Sequence, residues 1–523
     1  MNNAIDASML DADLHLEADV VIVGSGAGGG TTAEILSRAG LRVIIVEEGP
    51  LRTSADFHMV EREAYPQLYQ ESAGRRTKDK GILILQGRCV GGSTTVNWAS
   101  SFRTPLSTLA YWREQFGLHD YTVEELAPWF AMMEHRLNVH PWAEAPNENN
   151  AILQRGAKKI GVPTKVIPRN VKGCWNLGYC GMGCPVNAKQ SMLVTTIPAA
   201  LDHGAKLISR VRAQKFIASG SQITTLVCSA LDSTGLQPGP HSVIVSARHF
   251  VLSAGAIGSP AVLLRAKVPD PYRQIGTRTF LHPTVISAAT MPEAVNGFSG
   301  APQSIYSDHF LSTQPIDGPV GYKLEVPPIH PVLTATTLIG FGRQHAELMA
   351  QMPNVQVIIA LMRDGFNAQS QGGTVGLKSD STPLLDYPLD GYLWDGARRA
   401  LKSMAAVQFA AGAKSVLPMH ENAQAYTSLA QAEAAIDAFP MEVARMHVVS
   451  AHVMGGCAMG ADPKSSVVDG AGRFHHLDNL HVFDGSVFPT SIGANPQLSI
   501  YGIVSRNASS LAAQLTGKPA PKI

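Results

Sequence analysis

A glycine fingerprint set between two short apolar runs constrains this chain more than any other feature. It lies in Ala18 to Gly49, "ADVVIVGSGAGGGTTAEILSRAGLRVIIVEEG". Val20 to Val23 reads as a buried parallel strand, Thr31 to Ala39 as a helix that Gly40 ends, and Val43 to Val46 as a second strand closing on Glu47. Between the first strand and the helix, Gly24, Gly26 and Gly29 fill the G-x-G-x-x-G spacing. The first glycine permits the tight turn, the second lets backbone approach a pyrophosphate, and the third lets helix pack on strand. The helix then offers free N–H groups and a positive dipole end to phosphate. Glu47, 18 residues after Gly29, can accept hydrogen bonds from the two hydroxyls of an adenosine ribose and disfavours a 2′-phosphate. The pattern predicts dinucleotide binding; by itself it does not separate NAD from FAD.

At 523 residues the chain exceeds the roughly 250–300 at which single cores stop growing, so two domains or more are expected. Lys plus Arg at 42 balances Asp plus Glu at 41, which excludes global steering toward nucleic acid or an anionic membrane. The first eighteen residues carry acids and no apolar core, so a secretory signal is not expected and the cytoplasm is the default location. No run of 18 apolar residues predicts a membrane span, while peripheral membrane contact stays open.

Three more segments complete a pattern: "GRCVGGSTTVNW" (Gly87 to Trp98), "FVLSAGAIGSPAVLLRA" (Phe250 to Ala266) and "NLHVFDGSVFPTSIGANPQLS" (Asn479 to Ser499). In this order, with the fingerprint, they resemble the glucose-methanol-choline (GMC) family of FAD-dependent oxidoreductases, from about residue 19 to the end. The resemblance implies that Gly92, Ser93 and Asn97 lie along flavin and diphosphate, that Val211 clamps the adenine through its backbone, and that Asp484 and Gly485 face the ribityl-phosphate stretch. The loop Gln86–Ser101 has no histidine to tether the flavin, so FAD is expected to be noncovalent. Cofactor motifs at both ends of the chain imply an α/β fold with a discontinuous Rossmann-type FAD-binding domain, residues 1–105, 185–285 and 445–523. Residues 106–184 and 286–444 are then expected to form an α+β substrate-binding cap on an antiparallel sheet.

In "AHVMGGC" (Ala451 to Cys457) one imidazole stands in an apolar, glycine-rich run, which alone would read as a buried histidine with a backbone partner. The family resemblance gives it another role. His452 precedes Gly455-Gly456-Cys457, and Asn495 follows 43 residues later in an Asn-Pro form similar to the cholesterol oxidase and fatty alcohol oxidase branches. That implies His452 as the base for an alcohol whose hydride passes to flavin N5, with Asn495 orienting the hydroxyl. Imidazole suits proton acceptance near neutrality. A hydroxyl near pKa 15.7 against an imidazole near 6.5 makes complete prior deprotonation uphill by on the order of 12 kcal/mol, so proton loss is expected to be coupled to hydride departure. His447, His475, His476 and His481 lack the glycine context and read as packing or surface residues.

Cys174, Cys180 and Cys184 are spaced C-x5-C-x3-C-P, with no adjacent fourth ligand for tetrahedral zinc. Packed thiols, a disulfide and iron–sulfur ligation are the readings open to them. The spacing resembles that of multi-subunit sugar dehydrogenases of the same family, which implies a [3Fe-4S] cluster feeding a redox partner. Cys89, Cys228 and Cys457 read as core. No acid or arginine cluster marks a charged substrate, so an apolar alcohol of medium or long chain is expected. The alternatives are a sugar or polyol dehydrogenase carrying the cluster, and a lyase or photodecarboxylase on the same scaffold. The acceptor, oxygen or another, stays open.

Overall fold

The computed structural model describes residues 3–523. Its first eight-stranded sheet is organised around Leu14–Val23, which runs parallel to Val43–Val46 on one edge and to Pro238–Leu252 on the other. Val20, Val21 and Ile22 are fully buried, as a strand covered on both faces and both edges requires. Lys206–Ser209 and Ala4–Asp6 extend the sheet in parallel. Gln222–Leu231 and Val211–Ser219 add an antiparallel ribbon, and Leu480–Val482 pairs in parallel with Phe250 to Leu252. Strands from three distant stretches therefore meet in one sheet, the discontinuity that the ordered motifs imply.

The first helix is Ala27–Arg38, beginning four residues earlier than the Thr31 expected from periodicity. The reason is steric. Glycines let the opening turn sit directly on neighbouring backbone: a Cβ at Gly28 would stand 1.7 Å from the Phe483 carbonyl oxygen, and one at Gly29 1.9 Å from that of Gly24.

A second eight-stranded sheet runs in the order Ile82–Ile84, Val448–Ser450, Thr284–Thr290, Val355–Met362, Tyr322–Glu325, Ile305–Ser307, Lys165–Val166, with Ser415–Pro418 paired to Thr284–Thr290. It is antiparallel except where Ile82–Ile84 meets Val448–Ser450. The helix Gly391–Ala410 lays Leu401, Met404 and Val407 into its core.

Packing divides the chain differently from the motif-based boundaries. Leu106–Phe116 and Val123–Arg136, expected in the cap, bury Trp112, Leu126, Phe130 and Met133 in the first core, the second of the two helices against the long helix Gln497–Thr516. Ile82, Ile84 and Val448, expected in the FAD-binding domain, belong to the second core. An amphipathic face joins whichever core it fits, wherever the cofactor motifs stop. Among the described residues no helix is long and apolar enough to cross a membrane.

Candidate active site

Between the two sheets lies a cavity of about 650 Å³ lined by Gly24, Gly26, Glu47, Gly92, Ser93, Asn97, Val211, His452, Asp484, Gly485 and Asn495. Gly29 is not on its wall; it packs the first helix on the Gly24 turn, the role its place in the fingerprint predicts. The helix opens at Ala27 without a side-chain cap, leaving its first N–H groups for an anion. At the strand tip, Glu47 accepts from the Ser25 N–H at 2.9 Å, the Ser25 hydroxyl at 2.6 Å and the Gly49 N–H at 2.8 Å. Burial pushes its carboxyl above the usual range, and these bonds oppose the rise.

The second glycine turn touches the first. Gly92 has φ +52°, and a Cβ there would lie 2.9 Å from Gly26 Cα, so the two backbones close on each other as a turn that receives a pyrophosphate would require. The helical turn Ser93–Val96 that follows is held from behind by Lys189, whose buried ammonium donates to the carbonyls of Thr95 (2.6 Å), Asn97 (2.8 Å) and Cys180 (2.8 Å). Burial pushes Lys189 down to about 8. Asn97 Nδ2 donates to Gln497 Oε1 at 2.7 Å. The Asp484 carboxylate accepts from the N–H groups of Gly255 and Ser486, each at 2.8 Å, and from the Ser259 hydroxyl at 2.6 Å, so it joins two chain segments while Gly485 lines the cavity. Glycine backbones, an uncapped helix start and a fixed carboxylate along one channel fit an extended dinucleotide.

At the other end of the channel, His452 follows the strand Val448–Ser450, and Asn495 stands just before Gln497–Thr516. Three residues absent from the sequence reading join them. His282 Nδ1 lies 3.1 Å from His452 Nδ1, and His282 Nε2 accepts the Gly493 N–H at 3.1 Å. A backbone N–H only donates, so neutral His282 carries its proton on Nδ1 and gives it to His452, whose own proton then sits on Nε2. Burial pushes His452 down to about 4 and His282 well below the ordinary range, so both rings are neutral at pH 7. His282 has φ +45°, a strained backbone that Asp364 fixes by accepting the N–H groups of Leu281 and His282. The other two are Lys323 and Glu325, an ion pair at 2.7 Å beside Asn495.

The cysteines do not gather as a metal centre. Among the described residues no group of three His, Cys, Asp or Glu side chains can hold a metal ion, and all six cysteines are free. Each thiol has its own local donor: the Asn176 N–H at 3.4 Å for Cys174, Arg169 at 3.6 Å for Cys180 and the Ala188 N–H at 3.2 Å for Cys184. Among the described residues this geometry lends the [3Fe-4S] expectation no support. Of the other histidines, His481 is buried and pushed down to about 3, a packing residue.

Comparison with known proteins gives the family. Residues 65–284 and 368–503 match GMC oxidoreductase models, and residues 19–58 match an FAD binding domain. An uncharacterised GMC-type oxidoreductase of Mycobacterium tuberculosis is 30% identical over 98% of this chain and 80% of its own. The chain belongs to the GMC oxidoreductases. It is an FAD-dependent oxidoreductase. Another uncharacterised GMC-type oxidoreductase, from Sinorhizobium fredii, is 29% identical over 95% of both chains, and a long-chain-alcohol oxidase of Arabidopsis thaliana is 26% identical over 96% of this chain and 69% of its own. Among solved GMC structures, pyridoxine 4-oxidase from Mesorbium loti superposes with TM-score 0.68 at 18% identity, covering 94% of this chain and 98% of its own. Formate oxidase of Aspergillus oryzae does so at 0.71 and 14%, covering 96% and 99%. At these identities the likeness is one of fold.

Proposed function

We propose that this protein oxidises a neutral, apolar alcohol of medium or long chain to an aldehyde or ketone. The observation that carries the reading is the convergence of His452 and Asn495 on one end of the FAD channel, beside Ile359, Leu361 and Val453 on its wall. The long-chain-alcohol oxidase relative adds support for the substrate class. Bound FAD supplies the hydride acceptor. The chain's own part is to hold the hydroxyl and remove its proton.

His452 is the base in this reading. Its neutral ring can take a proton, yet in the tautomer set by His282 the nitrogen left for the cavity, Nε2, already carries one. Accepting the hydroxyl proton at Nε2 requires the ring's own proton to move to Nδ1 and His282 to give up the Gly493 bond, at about 1–3 kcal/mol. That is small beside the on-the-order-of-12 kcal/mol gap between free hydroxyl and imidazole, so the tautomer shift modulates the rate without forbidding the role. Asn495, with no proton affinity near neutrality, binds the same oxygen and does not compete.

The test is an anaerobic visible spectrum of the FAD-loaded protein titrated with a homologous series of primary alcohols. Bleaching of the oxidised flavin band that strengthens with chain length is expected. A flavin that no alcohol bleaches overturns alcohol oxidation in favour of a lyase or photodecarboxylase; bleaching by sugars alone overturns the apolar substrate.

A further inference from the structure

The amide of Asn495 is engaged at both ends. Its Oδ1 lies 2.9 Å from Lys323 Nζ, and its Nδ2 donates to Glu325 Oε2 at 3.2 Å. The lysine and glutamate stand two residues apart on one face of the strand Tyr322–Glu325, with side chains 4% and 0% exposed. Glu325 Oε2 also accepts from Gln303 Nε2 at 2.5 Å, and the ammonium sits 3.3 Å from the centroid of the Phe102 ring.

An ammonium only donates and a carboxylate only accepts. The amide oxygen must therefore face Lys323 and the nitrogen Glu325; reversing the amide would break two hydrogen bonds to charged groups, leaving the reversed form below about one molecule in a hundred. One Nδ2 hydrogen is left over on a residue that lines the cavity. A buried ion pair is weak evidence for a stabilising role, because apolar replacements of both partners are often neutral. Fixing one orientation of a neighbouring amide is something such replacements cannot do.

We infer that Lys323 and Glu325 are positioning residues that hold Asn495 as a hydrogen-bond donor to the substrate oxygen. This rests on the proposed alcohol oxidation and deepens it. The hydroxyl is received in one sense: a lone pair meets Asn495 Nδ2–H and the proton turns to His452. The lysine's charge is spent on Asn495, Glu325 and the Phe102 face, so the pair offers no free charge to a substrate.

The experiment uses FAD-loaded full-length protein and 2-octanone, whose oxygen only accepts. Binding is followed by equilibrium dialysis, and alcohol-driven flavin bleaching in parallel. Removing both charges in K323M/E325L is expected to weaken 2-octanone binding at least about twofold, the factor set by an amide free to reverse, and by no more than the roughly tenfold of Asn495→Ala, which loses one neutral hydrogen bond. The combined triple variant is expected to bind no more weakly than Asn495→Ala alone. Additive losses in the triple variant, or wild-type affinity in K323M/E325L, would overturn the inference. Should K323M/E325L fail to retain FAD, two polar variants decide. K323R keeps a donor-only neighbour opposite the accept-only carboxylate and is expected to hold wild-type affinity, whereas K323Q/E325Q, whose two amides can each present either end, is expected to bind at least about twofold more weakly; equal affinities overturn the inference. If ketone binding follows the expected pattern while no alcohol bleaches the flavin, the positioning role stands and alcohol oxidation fails.

Discussion

Lowering the pH tests the imidazole pair most directly. Burial holds His452 near 4, against 6.5 for a free histidine, with the Glu325 carboxylate raising it and the Lys323 ammonium lowering it. Above pH 6.5 the ring is neutral folded or unfolded and contributes no pH dependence. As the pH falls below 6.5 the unfolded chain binds a proton that the folded chain refuses until about 4, so stability declines across that window and levels off beneath it. At about 1.36 kcal/mol per pH unit, the loss by pH 4.5 is about 2–3 kcal/mol. Chemical denaturation of FAD-loaded wild type and His452→Gln at pH 7 and pH 4.5 measures it: the wild type is expected to lose about 2–3 kcal/mol more than the variant. In stopped-flow reduction by a reactive alcohol, the rate constant should hold its plateau from pH 7 to about 5 and fall with a midpoint near 4. Equal losses in the two proteins, together with a kinetic midpoint near 6.5, would refute the claim that this ring is desolvated and neutral.

His452→Ala is expected to slow flavin reduction by about 10²–10⁴-fold while FAD stays bound, as for a positioned base; an unchanged rate removes it from the mechanism. Gly28→Ala should be destabilised by at least about 1–3 kcal/mol and purify with substoichiometric FAD, since its methyl has no room beside the Phe483 carbonyl; thermal melting and the flavin-to-protein absorbance ratio report both. Glu47→Ala should weaken FAD binding by about 1.5–3 kcal/mol, the range for a hydrogen bond to a charged group, read by fluorescence titration of the apoprotein. Cys180→Ser should leave the visible spectrum unchanged, with iron far below stoichiometric in both proteins by elemental analysis; stoichiometric iron would contradict the separate thiol environments.

The dinucleotide half of the site was legible because its chemistry is local. Gly24, Gly26 and Glu47 act through backbone shape and a strand-end carboxylate, which fixed spacing encodes. The proposed substrate end was half legible. His452 and Asn495 could be found by their glycine and proline contexts, but their partners come from segments more than a hundred residues away. Lys323 and Glu325 carried one usable signal, two charges at period two in "GYKLEVPP", an alternation that puts both on one sheet face. His282, in "FLHPTV", carried none beyond a histidine before proline. The cysteine spacing could not decide among its readings, because sequence proximity does not by itself aim sulfurs at a common point. Core membership at Leu106–Phe116 and Val123–Arg136 was not legible, because amphipathic helices declare an apolar face without declaring which core receives it.

The sheet partnership of Leu480–Val482 with Pro238–Leu252 bears on how the protein is made. On the ribosome, the fingerprint emerges first and the strand tip carrying Asp484 last, so the cavity wall is incomplete until residues 480–497 have been translated. Until then the nascent chain exposes an apolar strand edge at Phe250 to Leu252, a surface for chaperones to cover, and starving cells of riboflavin should deplete this protein through turnover of the FAD-free form.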